Sequence, residues 1–475
     1  MVEQLKKVPT GIAGLDELTG GGLPAGRPTL VCGGPGCGKT LLATTFLVRG
    51  AVDHSEPGLL VSFDERIPDM GVNVASLGFD LPDLEARGLL ATDYVHIDRQ
   101  EMHETGEYDL EALFIRLNLA VNRVGARRVV LDTIDTLFAG IPNQGIVRSE
   151  LRRLFGWLKD HQLTTVITAE RGEGSLTRHG IEEYVSDCVI LLDHRVIEDL
   201  STRRLRIVKY RGTSHGTNEY PFLIDEQGIT VLPITSLGLR HGASNESMST
   251  GLPQLDAMLS SKGYFKGSST LLTGGPGTGK TTIAAHFADA TCRNGERCIY
   301  FSFEESASQL VRNMRSAGVD LQPWIDKGLL RCQTSRPSLG GLEMHLALMV
   351  NAVRDFRPAT VIIDPLSALL AIGVGSQTAF MALRLIDYLK SHGVTALYLS
   401  LQDSEEPTSL HISSIMDTWI VVRNMRSDTD LSRRLHIVKA RGMAHSNQVR
   451  RMEITNSGVR LTDLPTAREA AEGLR

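Results

Sequence analysis

Aromatic residues are scarce in this chain, 5% of 475, and no stretch interleaves them with lysine or arginine. Proteins that track single-stranded nucleic acid stack bases on aromatics set in a basic groove. The scarcity therefore argues against a nucleic-acid partner, although Arg148, Arg152 and Arg153 fall at helical spacing. A net charge of −5 supplies no long-range pull toward a polyanion or a membrane surface. The six cysteines (Cys32, Cys37, Cys188, Cys292, Cys298, Cys332) form no C-x-x-C pair. That removes the common zinc and disulfide frameworks and suits free thiols in a reducing cytoplasm. No run of apolar residues is long enough to span a bilayer. Met1–Pro9 carries charge where a secretory signal would be apolar, so none is expected. What is left is an ordinary globular composition, 42% apolar and 22% charged, able to build large cores.

Against that background one stretch stands out because it occurs twice. Gly33-Gly34-Pro35-Gly36-Cys37-Gly38-Lys39-Thr40 returns as Gly274-Gly275-Pro276-Gly277-Thr278-Gly279-Lys280-Thr281. Both fit the G-x-x-x-x-G-K-[ST] phosphate loop, and both lie between an apolar run and a helix-like segment, the context the motif requires. Backbone N–H groups of such a loop curl around phosphate oxygens at the positive end of the following helix. Lys39 and Lys280 would reach the outer phosphates, and Thr40 and Thr281 would offer hydroxyls to magnesium. Two nucleoside triphosphate sites are expected.

The repeat extends well beyond the loops. Thr10-Gly11 and Leu15-Asp16 return as Thr250-Gly251 and Leu255-Asp256; Asp64-Glu65 returns as Glu304-Glu305. Asp132 returns as Asp364, and Lys209-Tyr210-Arg211-Gly212 as Lys439-Ala440-Arg441-Gly442. The conserved order marks two diverged copies of one domain, 1–240 and 241–475, joined near Pro233–Ser249 and ending in a charged tail, Pro465–Arg475. Within the first copy, Leu59–Phe63, Arg128–Leu131, Thr165–Thr168 and Val189–Leu192 read as buried strands, and Leu110–Val124 and Arg148–His161 as helices. That alternation predicts an α/β fold, a mostly parallel sheet with helices on both faces.

Three features carry chemistry. Asp132 and Asp364 end apolar strands, where an aspartate orders magnesium and its water. Asp64-Glu65 and Glu304-Glu305 are expected at the C-terminal end of the strand next to the phosphate loop, where a carboxylate accepts a proton from water or a hydroxyl. The Lys-x-Arg-Gly segments lie far downstream of their own loops. On their own they fit a cation lent to a neighbouring subunit's phosphate and a solvated hairpin equally well.

The whole chain resembles the KaiC family of double-domain clock ATPases within the RecA superfamily. The likeness is carried by Thr10–Asp16, Glu182–Asp187, Lys209–His215 and Glu219–Phe222 in the first copy. In the second it is carried by Phe301–Ser306, Asp364–Leu369 and His411–Thr418. The resemblance implies two tandem RecA-like domains in a two-tier homohexamer, with ATP and magnesium at subunit interfaces. The first tier would hydrolyse ATP, and the second would also phosphorylate and dephosphorylate its own Ser413 and Ser414. ATP would be held by Gly36, Cys37, Gly38, Lys39, Thr40, Leu41 and Ser76, with Lys209, Tyr210, Arg211, Thr213 and His215 from the adjacent subunit. In the second tier the set is Gly277, Thr278, Gly279, Lys280, Thr281 and Thr282, with Arg433, Lys439, Ala440 and Arg441. Asp64, Glu65, Glu304 and Glu305 would do the acid–base work with Lys39 and Lys280; Thr40, Asp132, Thr281, Glu304 and Asp364 would serve magnesium.

This chain departs from the family pattern at four places. Asp64 stands where the family has Glu, which shifts weight to Glu65. Ala317 replaces an aromatic near the second adenine, and Met443-Ala444 replace a polar–aromatic pair. The chain also stops soon after Leu464, which argues against a KaiA-like activator and leaves a KaiB-like partner on the first domain. Two rival readings remain at this level: a RecA- or DnaB-like DNA motor, and an ATP-assembled scaffold lacking kinase activity.

Overall fold

The computed structural model describes residues 5–96, 110–139, 141, 143–172, 176–177, 180, 186–197, 200–225, 228–232, 242, 244–260, 262–339, 341–371, 376–401, 412–426 and 431–464. Most of the linker, the tail, His411 and the Glu182–Val185 motif lie outside them. The chain divides into two compact units, Met1–Ser236 and Leu237–Arg475, each built on a nine-stranded sheet.

In the first unit the main elements are β1 (Pro28–Gly33), α1 (Lys39–Asp53), β2 (Gly58–Ser62), α2 (Ile67–Ala75), β3 (Leu90–Tyr94), α3 (Glu111–Val124), β4 (Arg128–Asp132), α4 (Gln144–Asp160), β5 (Thr164–Glu170), β6 (Cys188–Ile197), β7 (Leu200–Tyr210), β8 (Glu219–Asp225) and β9 (Gly228–Val231). The sheet order is β9-β8-β7-β6-β1-β5-β4-β2-β3. Strands β6 to β3 along that order are parallel, and β9 to β6 form an antiparallel extension. Alternation along the strands feeds two cores. Val31, Leu60, Val130 and Val166 pack with α1 on one face. Leu30, Cys32, Leu59, Val61, Val129, Leu131 and Ile167 pack with α3 and α4 on the other. Burial on both faces explains why these strands read as continuous apolar runs.

The second unit repeats the plan with β10 (Ser269–Gly274), α5 (Lys280–Arg293), β11 (Cys298–Ser302), α6 (Ala307–Ser316), β12 (Leu330–Thr334), α7 (Leu342–Phe356), β13 (Thr360–Asp364), α8 (Ser376–Ser391), β14 (Thr395–Leu401), α9 (Ile412–Ile415), β15 (Thr418–Arg426), β16 (Leu431–Ala440), β17 (Arg450–Thr455) and β18 (Gly458–Asp463). Its order is β12-β11-β13-β14-β10-β15-β16-β17-β18.

Some boundaries differ from the sequence reading, each for a local reason. Helix α4 starts at Gln144 rather than Arg148 because the Asn143 side chain caps the Gly145 N–H. Strand β6 runs on to Ile197 because it pairs along its length with β7. Within the expected linker, Ser247-Met248 is a strand paired with Tyr264-Phe265, and buried Met248 anchors it.

Candidate functional site

Both phosphate loops sit where a strand gives way to a helix, at β1–α1 and β10–α5. Gly38 and Gly279 hold φ of 104° and 95° as the residues capping those helices, a conformation that a Cβ would strain. The Lys39 ammonium donates to the Gly33 and Gly34 carbonyls at 2.9 and 3.0 Å. Lys280 does the same to Gly274 and Gly275 at 2.7 and 2.8 Å. A Cβ at Gly34, Gly36 or Gly277 would meet nothing within 4 Å, so each loop borders open space. Cys37 and Thr278 are buried beneath their loops, Leu41 is half-buried, and Thr282 faces the core.

The strand-ending aspartates touch the loops. Thr40 Oγ1 donates to Asp132 Oδ2 at 2.9 Å, and Thr281 Oγ1 donates to Asp364 Oδ2 at 2.9 Å. Thr168 donates to the other Asp132 oxygen, Oδ1. Burial drives both carboxyls upward in pKa, and these hydroxyl hydrogen bonds pull them back.

The acidic pairs correct one expectation. Strand β2 does not neighbour β1, because β5 and β4 lie between them, and β11 is likewise separated from β10. The pairs reach the site through the aspartate instead. Phe63 N donates to Asp132 O at 2.8 Å, and Phe303 N to Asp364 O at 2.9 Å, which brings each acidic pair alongside. Asp64 and Glu304 are exposed. Glu65 and Glu305 are half-buried, each held by an asparagine of the next helix: Asn73 Nδ2 on Glu65 at 2.5 Å and Asn313 Nδ2 on Glu305 at 3.1 Å. Burial raises the Glu65 pKa, and Asp132, Asp69 and Asp64 raise it further against the Asn73 hydrogen bond. A base works only deprotonated, so a Glu65-dependent rate falls as pH drops through this elevated value. Asp69→Asn removes one of the raising charges. The acid limb of the ATP hydrolysis profile is expected to move to lower pH with its plateau kept, as a steady-state pH series would show.

The Lys-x-Arg-Gly segments lie at the other end of the sheet. Tyr210 pairs with Cys188, and Cys188 with Thr29, so the segment sits where β1 begins. The phosphate loop follows where β1 ends, about 17 Å away along the strand. In the second unit Ala440 pairs with Thr418, and Thr418 with Thr270, giving the same separation. A register shift just before Lys209 and another before Lys439 re-aim both lysines. Two acids, Asp187 buried and Asp417 half-buried, anchor the segments: Arg211 N donates to Asp187 O at 2.9 Å and Arg441 N to Asp417 O at 2.8 Å. Lys159 pairs with Asp187 at 2.6 Å and Lys390 with Asp417 at 2.8 Å. Burial pushes the Asp417 pKa up, but hydrogen bonds from Lys390 and Ser269 win and hold it below the usual range.

Ser413 and Ser414 belong to that same far end. They lie on the short turn α9, where Ser413 is buried and Ser414 exposed. The Ser414 carbonyl accepts from Lys439 Nζ at 3.1 Å and Arg441 Nη2 at 2.6 Å. Thr213 accepts from Lys7 at 3.1 Å, and the His215 ring lies 6.3 Å from that of Tyr210. Tyr210 points its hydroxyl into its own unit, donating to Gly22 O at 2.8 Å. Ser76 is exposed at the end of α2. Arg433 parts company with Lys439, Ala440 and Arg441: its Nε donates to Gly277 O of its own loop at 3.2 Å.

Sequence reasoning missed Thr168, Tyr300, Asn73, Asn313, Lys159, Asp187, Lys390 and Asp417. The asparagines were findable, because each lies eight residues past the second acid in both copies.

Two phosphate loops, each at the C-terminal edge of a mostly parallel sheet with a hydroxyl-bonded aspartate beside it, define a tandem RecA-like P-loop architecture. The chain belongs to the KaiC family: the model described as "ATPase: KaiC" matches residues 8–236 and again 248–466. It is 53% identical over 464 residues to the circadian clock protein KaiC2 of Synechocystis sp., covering 97% of this chain and 82% of that one. It is 38% identical over 473 residues to the circadian clock oscillator protein KaiC of Parathermosynechococcus lividus, covering 97% and 87%. Identity to the KaiC of Synechococcus elongatus is also 38%, over 469 residues, covering 97% and 90%. Membership of this ATPase family implies ATP as the nucleotide. Among the described residues no helix is long and apolar enough to cross a membrane.

Proposed function

We propose that this chain is a ring-forming ATPase, six copies to the ring, whose first unit hydrolyses ATP and whose second unit phosphorylates, and later dephosphorylates, serines of the adjacent subunit, in circadian or stress timing. One observation carries the reading. In each unit the cations and, in the second, the acceptor serines lie at the opposite end of the sheet from their own phosphate loop. Their distance from that loop supports a phosphate supplied by another copy, through a head-to-tail interface of the kind that closes into rings. The family resemblance supplies the number six and a KaiB-like partner for the first unit.

In the second unit Ser414 Oγ would bond to the γ-phosphorus as the β–γ bridging bond breaks and ADP leaves. Glu304 would take the hydroxyl proton, with Glu305 beside it, while Lys439 and Arg441 offset the growing charge. In the first unit Glu65, aided by Asp64, would activate water in the same way. The part-buried Thr–Asp pairs at each loop fit a hard cation, which takes oxygen ligands. Thr40 and Asp132, and Thr281 with Asp364 and Glu304, would hold magnesium, which would supply positive charge to offset that of the transferring phosphate.

Intact mass after incubation with ATP and magnesium tests the proposal. A phosphate adduct, together with nucleotide-driven assembly on native mass analysis, is the expected result. Assembly without any adduct would leave an ATP-assembled scaffold, and a fully active monomer would sink the ring.

A further inference from the structure

The two strand-ending aspartates each receive two hydroxyls, but from different places. Asp132 takes Thr40 on Oδ2 and Thr168 on Oδ1. Asp364 takes Thr281 at 2.9 Å and Tyr300 at 2.6 Å, both on Oδ2. Strand register shows that this is an exchange of positions. Val31 pairs with Thr168, and Leu272 pairs with Leu399, so Leu399 holds the place of Thr168. Leu60 pairs with Val130, and Tyr300 with Ile362, so Tyr300 holds the place of Leu60. The first unit carries a leucine and a threonine where the second carries a tyrosine and a leucine. The hydroxyl lost from one strand returns from another.

Geometry explains why it returns as tyrosine. Ser302 pairs with Asp364, so Tyr300 stands two residues back on the same face, about 7 Å along the strand. A phenol spans that distance; a threonine there would not. Tyr300 is fully buried, where an unpartnered hydroxyl is costly, so the side chain and the carboxylate fix one another. Because Thr281 is itself proposed for the metal, Tyr300 is the donor that remains to hold Asp364.

We infer that Tyr300 is the positioning residue of the second nucleotide site, setting the magnesium dependence with which that loop retains nucleotide, independently of the first site. The inference rests on the reading of Asp364 as the magnesium-linked aspartate. Outer hydrogen bonds to metal-linked groups typically change metal affinity about 10- to 100-fold when removed.

The test uses the full chain with Lys39→Ala, so that a fluorescent ATP analogue reports only the second loop while magnesium is titrated. Tyr300→Phe is expected to raise the magnesium midpoint by about 10- to 100-fold. Tyr300→Leu is expected to match it, and Tyr300→Leu/Leu399→Thr, which rebuilds the first unit's arrangement, to return the midpoint toward that of the parent. An unmoved midpoint in Tyr300→Phe, or no recovery in the double variant, overturns the inference. So does an equal shift at the first loop, read in a Lys280→Ala chain, since that would mark general loss of structure. Binding that ignores magnesium in the parent would instead overturn the reading of Asp364 itself.

Discussion

Two chains that are each inert for phosphate transfer, one Lys280→Ala and one Arg441→Ala, regain it when mixed. The expectation follows from where the parts lie. Lys280 holds the phosphate loop at the C-terminal edge of the second sheet, bonded to the Gly274 and Gly275 carbonyls. Arg441 and Ser414 lie together at the opposite edge, joined at 2.6 Å. In the proposed ring a productive interface would therefore take its loop from one chain and its cation and acceptor from the next. A cation of this kind is worth about 10³-fold or more in phosphoryl transfer, so each variant alone should be nearly silent. In a ring assembled at random from equal amounts, about one interface in four combines an intact loop with an intact arginine. The distribution of label is the sharper readout. Phosphate should appear on the Lys280→Ala chain, whose own loop is dead but whose Arg441 and Ser414 are whole. Label on the Arg441→Ala chain instead, or none on either, would place donor and acceptor within one subunit and refute the trans arrangement. Mass-tagging one chain distinguishes these outcomes.

What was legible in the sequence was local. The loop glycines, the lysine and threonine that follow them, and an acid closing an apolar strand are neighbours in the chain, and their spacing is dictated by backbone geometry. Repetition made even the acidic pairs visible. The strand order was not legible: two strands separate β2 from β1, and nothing in Leu59–Phe63 encodes that. The same blindness hid Thr168 and Tyr300, which reach their aspartates across strands 36 and 64 residues away in sequence. Each reads as an ordinary residue of a buried strand until register puts it opposite a carboxylate. Lys159 and Asp187 were hidden likewise, since an ion pair between a helix end and a strand start leaves no periodic trace. Position within a strand was equally hidden: the resemblance names Arg433 together with Lys439 and Arg441, yet it lies toward the other end of the same long strand, against its own loop.

Ser414, rather than Ser413, is expected to receive the first phosphate, and Ser414→Ala to remove nearly all early incorporation. The two hydroxyls are adjacent in sequence yet differ in access. Ser414 is exposed, while Ser413 is buried on a turn pinned by Ile412 and Met416, both in the core. Presenting Ser413 to a neighbour's nucleotide requires opening that turn, which exposes at least one large apolar side chain at about 1.5–3 kcal/mol. That corresponds to a disadvantage of about 10- to 100-fold in rate. The product geometry favours the same order, because phosphate on Ser414 arrives beside Lys439 and Arg441, whose side chains already converge on its carbonyl. Once there, its charge competes for those two cations and loosens their hold on the turn, which is the opening that Ser413 needs. Site-resolved phosphopeptide mapping over a time course checks both steps. Ser414 phosphate should lead, and Ser413 phosphate should follow with a lag that Ser414→Ala lengthens. Ser413 phosphate appearing first would mean that α9 opens before any transfer, and the order would then be set by the opened turn rather than by burial in the closed one.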